Sequence, residues 1–202
     1  NGEAEYRQKT DGMRNSVRER LFITASPEFQ EVLPTIPNPK SPFRELQGER
    51  LWRVRFGADY RAEIADAVRL RSYGCDKVTI RYHEETWRDA GESFTFRLDA
   101  APAKGGDAAL RRFVSAIRDL GWRVGLYTNY CDYAPANRFW NENWVSRLPD
   151  GDWQRAWPRC YAPKPIIAVE MEAKLAPQIQ AKFGENHSYC DVHTCVSPFD
   201  RV

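Results

Sequence analysis

From Leu51 onward the chain alternates short runs of β-branched and aromatic residues with longer stretches whose apolar residues recur every three or four positions. That rhythm predicts repeated βα units. The first is a strand over Leu51 to Phe56, a break at Gly57 and a helix from Tyr60 to Ser72, in which Ile64, Ala67, Val68 and Leu70 keep helical spacing before Gly74 stops it. The second is a strand from Lys77 to His83, a loop holding Gly91, Gly105 and Gly106, and a helix in which Leu110, Phe113, Val114, Ile117 and Leu120 line one side. Asp107 is its expected N-cap and Gly121 its expected stop. A strand from Trp122 to Asn129 opens the third unit, whose aromatic-rich connection of about thirty residues far exceeds the usual ~2–6. A helix over Ile167 to Phe183, bent near Pro177, and a strand from Ser188 to Thr194 follow.

Strand parity separates two architectures. One parity carries Trp52, Val54 and Phe56, then Val78, Ile80 and Tyr82, then Val124, Leu126 and Thr128, then Cys190, Val192 and Thr194. The other carries Arg53 and Arg55, then Lys77, Thr79, Arg81 and His83, then Arg123, Gly125, Tyr127 and Asn129, then Tyr189, Asp191 and His193. Helices cover both faces of an open doubly wound sheet, so both should be apolar. A face this charged suits the inside of a barrel with a polar site at its upper end. The expected fold class is therefore α/β, the first half of a (β/α)8 TIM barrel over residues 49–202, because a complete barrel runs to roughly 250 residues and eight strands. Residues 1–48 read differently: a polar lead, a strand or two over Val17 to Ala25, and a linker or strap marked by Pro34, Pro37, Pro39 and Pro42.

Composition removes several classes. With 202 residues, 42% of them hydrophobic, disorder is excluded as the default. Thirty Lys and Arg against 28 Asp and Glu leave no charge excess for nucleic acid or an anionic membrane. No run approaches the ~18 apolar residues of a membrane span. The sequence opens at Asn1 with no export signal, and we expect a piece of a longer protein. Its five cysteines lack paired CxxC spacing and read as buried free thiols, with a Cys131–Cys160 bridge as the alternative.

Active sites of such barrels lie where the strands end. Here those ends offer Arg55 and Asp59; Tyr82, His83, Glu84, Glu85 and Trp87; Tyr127, Asn129 and Asp132; and Asp191 and His193. Carboxylates, imidazoles, an amide and aromatic rings in one mouth suit a polyhydroxylated ligand, whose hydroxyls take hydrogen bonds and whose C–H faces stack. Glu84 and Glu85 are adjacent, and alternation from His83 aims Glu85 inward and leaves Glu84 a solvated charge.

Three motifs carry a family resemblance: GLYTNYCDY (Gly125 to Tyr133), NRFWNENWV with DGDW after it, and YCDVHT (Tyr189 to Thr194) followed by Pro198, Phe199 and Asp200. From Leu51 onward the chain resembles the barrel of retaining glycoside hydrolases of the endo-α-N-acetylgalactosaminidase and α-galactosidase type and their bacterial relatives. The resemblance implies hydrolysis of O-glycosidic bonds, with Asp191 as the nucleophile closing strand four and an acid/base from the second half of the barrel, outside this chain. Strand-end position and the aromatic loop offer His83, Glu85, Tyr127, Asn129, Asp132, His193, Trp140 and Trp144 as the residues that bind the carbohydrate substrate, with no cofactor and no metal expected. A β-sandwich precedes the barrel in these relatives, which makes residues 1–48 the tail of a β-rich domain plus linker, and a secreted or periplasmic location fits a polysaccharide enzyme. The end of strand two departs from the family's paired aspartates, reading Tyr82, His83, Glu84 and Glu85.

Each residue also has a plainer role. Asp191 could pair with Arg55 or Arg81 inside the barrel, and His193 could buttress its neighbour. Trp140 and Trp144, with Trp153 and Trp157, could form the long loop's own core. His187, Cys190, His193 and Cys195 resemble a zinc set, but on a strand Cys190 points away from His193. Two other functions stand beside the hydrolase: a carbohydrate-binding or structural barrel without chemistry, and a metal-dependent barrel hydrolase, which lacks an HxH pair on strand one.

Overall fold

The computed structural model of the chain describes residues 12–13, 23–32, 39–57, 59–93, 95–148 and 150–193. Four strands, β1 (Leu51–Arg55), β2 (Val78–Tyr82), β3 (Arg123–Thr128) and β4 (His187–Cys190), form one parallel sheet in the order β1-β2-β3-β4. A short α1 (Arg44–Gly48) precedes them, and α2 (Tyr60–Ser72), α3 (Gly106–Arg118) and α4 (Pro165–Phe183) alternate with them. Strand order that never reverses, with the right-handed crossovers such βα units take, places α2, α3 and α4 on one face. This is part of a (β/α)8 barrel rather than a doubly wound sheet, whose order reverses at a switch point.

The core lies between sheet and helices. Val78, Ile80, Tyr82, Val124 and Leu126 from the strands meet Leu110, Phe113, Val114 and Ile117 of α3 and Met171, Leu175, Ile179 and Phe183 of α4. The Tyr82 ring meets Phe113 edge-on at 4.8 Å. α4 continues as one helix across Pro177. Gly121 does end the α3 turn, at φ +80°, its amide donating to Arg118 O. Asp107 is no N-cap: Gly105 caps α3, and the Asp107 carboxylate accepts from Ala100 N at 2.8 Å and pairs with Lys182 at 2.6 Å.

β1 overturns its expected parity. Register sets Trp52 beside Thr79 and Val54 beside Arg81, so these apolar residues share the open face with the polar set of β2. Arg53 and Arg55 lie under α2 instead. Arg53 bonds Asp66 at 3.2 Å, and Arg55 holds Glu63 through two hydrogen bonds of 3.0 and 2.8 Å. Two carboxylates one turn apart on α2 thus neutralise two arginines two apart on β1, and charge complementarity replaces apolar contact at this seam. β2 and β3 keep the expected assignment; β4 keeps it for Tyr189 and Cys190 but ends at Cys190, short of the expected Thr194, so parity does not extend to Asp191, Val192 and His193.

The expected strand over Val17 to Ala25 lies outside the described residues up to 22, and 23–25 carry no regular structure. Pro34, Pro37, Thr194, Cys195 and the Pro198–Asp200 motif also lie outside them. Cys131 and Cys160 are both buried, and no disulfide joins them. Among the described residues no helix is long and apolar enough to cross a membrane.

Candidate active site

The open face of the sheet gathers its aromatic and ionisable residues at the C-terminal ends of the strands. By register Phe56, His83, Tyr127 and Tyr189 form one layer. The His83 ring lies 5.1 Å from Phe56, 4.8 Å from Tyr127 and 6.0 Å from Tyr189, and the two tyrosines meet edge-on at 5.5 Å. β2 stops at Tyr82 and the chain turns through a 3-10 helix over Glu84–Thr86. That turn is pinned by Thr86, whose hydroxyl donates to Phe56 O at 3.0 Å and whose carbonyl accepts from Tyr60 Oη at 2.6 Å. Gly57 is obligatory there: at φ +59° an added Cβ would fall 2.4 Å from Thr86 Oγ1 and 2.6 Å from the Tyr82 ring.

Within this turn Glu85 accepts from His83 Nδ1 at 2.8 Å, leaving His83 Nε2 to face the mouth. Glu84 differs from its expected role. It is ion-paired with Arg88 and more enclosed than Glu85, because the 3-10 turn breaks the alternation assumed for a continuing strand. Ligand atoms of His83, Glu84 and Glu85 lie within 4.8 Å of one another, which makes them the one metal-like cluster among the described residues. Both carboxylates already have partners in this arrangement.

Asn129 closes β3 and its amide is saturated. Nδ2 donates to Tyr127 Oη at 2.9 Å and to Asp132 Oδ2 at 2.7 Å, while Oδ1 accepts from the amides of Cys131 and Asp132 at 2.8 and 2.9 Å. Asp132 Oδ1 also accepts from Trp157 N at 3.2 Å. Asn129 therefore orients Tyr127 and the first turn of the long loop, and Tyr127 keeps its own O–H free to donate. Burial, and then the charges of Asp191, Glu84 and Asp132 around it, push the Tyr127 phenol far above its ordinary range. It stays a neutral donor at any physiological pH.

Asp191 follows β4 directly, its amide donating to Thr128 O at 3.0 Å. Its carboxylate makes no hydrogen bond or ion pair with any described residue, so the pairing with Arg55 or Arg81 is not formed: Arg55 binds Glu63, and Arg81 stacks between Trp52 and Tyr189. Burial and then the Asp191 charge raise the Tyr189 phenol, and the same charge contributes to the rise at Tyr127. Val192, the next residue, has φ +61°. A β-branched residue in the left-handed region is strained, and such strain clusters where side-chain placement is functional.

Four sequence candidates lie elsewhere. Trp140 stands 4.6 Å from Tyr133, 5.6 Å from Trp153 and 6.0 Å from Tyr161, and Trp144 stacks on Tyr133 at 6.4 Å. With antiparallel bridges such as Tyr133 to Tyr161, these rings form the loop's own core. His193 is exposed, its ring nitrogens 3.8 Å from Cys131 Sγ and its ring 5.8 Å from that of Tyr130. Asp59 is the N-cap of α2. Phe56 and Tyr189 were absent from the expected ligand set; Tyr189 was identifiable because it shares parity with Asp191, whereas Phe56 was hidden by the reversed parity of β1.

No protein-family model and no curated protein matches the chain. Among solved structures it is similar to the alpha-N-acetylgalactosaminidase NagBb from Bifidobacterium bifidum, at 20% identity and TM-score 0.59 over 71% of this chain and 24% of that one. It is similar to the GH36 alpha-galactosidase AgaA from Geobacillus stearothermophilus, at 11% identity and TM-score 0.58 over 74% and 22%. It also matches the maltogenic alpha-amylase AmyB from Thermotoga neapolitana, at 14% identity and TM-score 0.54 over 73% and 40%. The chain thus spans about a quarter of the first of these structures. At these identities the likeness is one of fold, and the fold is that of a partial (β/α)8 barrel.

Proposed function

We propose that the chain supplies the nucleophile and part of the sugar-binding wall of a retaining glycoside hydrolase, with Asp191 attacking the anomeric carbon. The observation that carries this reading is a carboxylate at the end of β4, its charge felt by Tyr127 and Tyr189, with no hydrogen-bonding or ionic partner among the described residues. A carboxylate kept for structure would be paired. Attack by one carboxylate oxygen forms the glycosyl ester as the C–O bond to the leaving group breaks, and a carboxyl group outside residues 1–202 protonates that oxygen. The same group then deprotonates the water that cleaves the ester. Tyr127 donates to the nucleophile or a sugar hydroxyl, held by Asn129; His83, backed by Glu85, offers Nε2 to a second hydroxyl; Phe56 and Tyr189 supply stacking surface.

The test uses the full-length protein and activated aryl glycosides. Asp191→Ala should lower kcat by several orders of magnitude, and added sodium azide should restore turnover, releasing a glycosyl azide of configuration opposite to the substrate. Undiminished hydrolysis in that variant would end the assignment.

A further inference from the structure

Arg81, a cation on the open face, has no counter-ion among the described residues. Arg81 projects from β2 two residues before His83, and its guanidinium lies 4.9 Å from the Trp52 ring centre and 5.2 Å from that of Tyr189. Its Nε is buried without an acceptor, and it forms no ion pair with any described residue. The contrast with β1 is direct, for Arg53 and Arg55 each have a carboxylate of α2 in hydrogen-bonding distance. A guanidinium screened by aromatic rings loses hydration and still presents in-plane N–H donors. Leaving such donors unanswered is costly.

Two neighbours bound this cation on the β3 and β4 side. Gly125 is the register partner of Arg81 on β3 and sets no side chain of its own beside it, and His187 O lies 2.9 Å from where a Cβ would stand there. Burial, and then the charges of Arg81 and Arg123, hold His187 below its ordinary value. Two acidic groups of this end of the sheet are committed elsewhere: Glu85 to His83, and Asp132 to Asn129 and Trp157 N. The Asp191 charge acts on Tyr189, whose ring flanks Arg81.

We propose that Arg81 receives a carboxylate or sulfate carried by the sugar, so that the substrate class is an acidic saccharide. The proposal rests on the glycosidase reading for its sugar. Its own content is the anion, read in plane by the guanidinium fork while Trp52 and Tyr189 flank the cation.

Binding separates this idea from catalysis. Calorimetry on the full-length protein at low salt compares D-glucuronate with D-glucose, which differ at one carbon, and uses sodium sulfate as the bare anion, for wild type, Arg81→Met and Arg81→Lys. Glucuronate should bind at least tenfold tighter than glucose, lose roughly tenfold or more in Arg81→Met, and fall between the two in Arg81→Lys; sulfate should compete. Thermal melting without ligand reads the other source of the anion. If Arg81 awaits a ligand, Arg81→Met melts at or above the wild-type temperature; a drop of several degrees means that a carboxylate of the protein itself is its partner, and overturns the proposal. Equal affinity for glucuronate and glucose, no binding of either acid, or equal losses of glucose and glucuronate in Arg81→Met also overturn it. Those failures leave Asp191-dependent hydrolysis intact, whereas loss of the nucleophile assignment leaves glucuronate binding intact.

Discussion

Replacing Glu185 by glutamine tests how the sheet begins its fourth strand. Glu185 is buried just before β4, and its Oε2 accepts from the Leu126 amide at 2.8 Å. Asn186 completes the junction, with Oδ1 accepting from Val124 N and its own amide donating to Val124 O. Burial pushes the Glu185 carboxyl up to about 7, against the lowering effect of the Leu126 hydrogen bond. An unfolded glutamate titrates near 4.3, so ionising the folded form costs about 3 kcal/mol. The sign follows from linkage. Below the unfolded pKa both states are protonated and no cost arises; as pH rises toward 7 the unfolded state releases its proton first, and stability falls until the folded carboxyl also ionises. Glu185→Gln keeps an acceptor for Leu126 N and never ionises. Urea unfolding followed by tryptophan fluorescence at pH 4.5 to 8 should therefore show wild type losing about 3 kcal/mol relative to the variant across that range. The other ionisable groups are common to both proteins and cancel in the difference. A difference that does not vary with pH would refute the argument.

Two further substitutions probe the frame of the site. Gly57→Ala forces a Cβ against Thr86 Oγ1 and the Tyr82 ring at positive φ; strain and overpacking together predict a loss of about 2–4 kcal/mol in urea unfolding, and a neutral result would show the β1 to α2 turn to be adaptable. Asn129→Ala leaves the Cys131 and Asp132 amides without their acceptor. The expected loss is about 2–4 kcal/mol, with lowered proteolytic resistance across 129–164, and a change under 1 kcal/mol would mean water replaces the side chain.

The βα alternation was readable from periodicity because strands and helices here bury apolar residues at periods of two and about 3.6. α2 spans the predicted Tyr60–Ser72. β1 shows the limit of that signal: Trp52, Val54 and Phe56 look like residues that belong under a helix, yet Glu63 and Asp66 draw Arg53 and Arg55 there. Hydrophobic pattern ranks positions by transfer free energy and is blind to a complementary charge eight or thirteen residues on. The site divides in the same way. Asp191 and His83 could be placed at strand ends by counting, whereas the saturation of Asn129 depends on two backbone amides and a phenol that only folding brings together. The 3-10 turn that encloses Glu84 likewise follows from contacts of Thr86 with Phe56 and Tyr60, thirty and twenty-six residues away.

The charged seam between β1 and α2 sets how this part of the sheet answers its solvent. α3 and α4 each bury four large apolar side chains, while α2 fully buries only Glu63 and Ala67. Undocking α2 consequently exposes little hydrocarbon, so the event carries a small heat-capacity change and a shallow denaturant slope. It breaks ion pairs, which added electrolyte weakens at their exposed side. Sodium chloride is thus the sensitive variable for opening the first βα unit, and urea the sensitive variable for the remaining two.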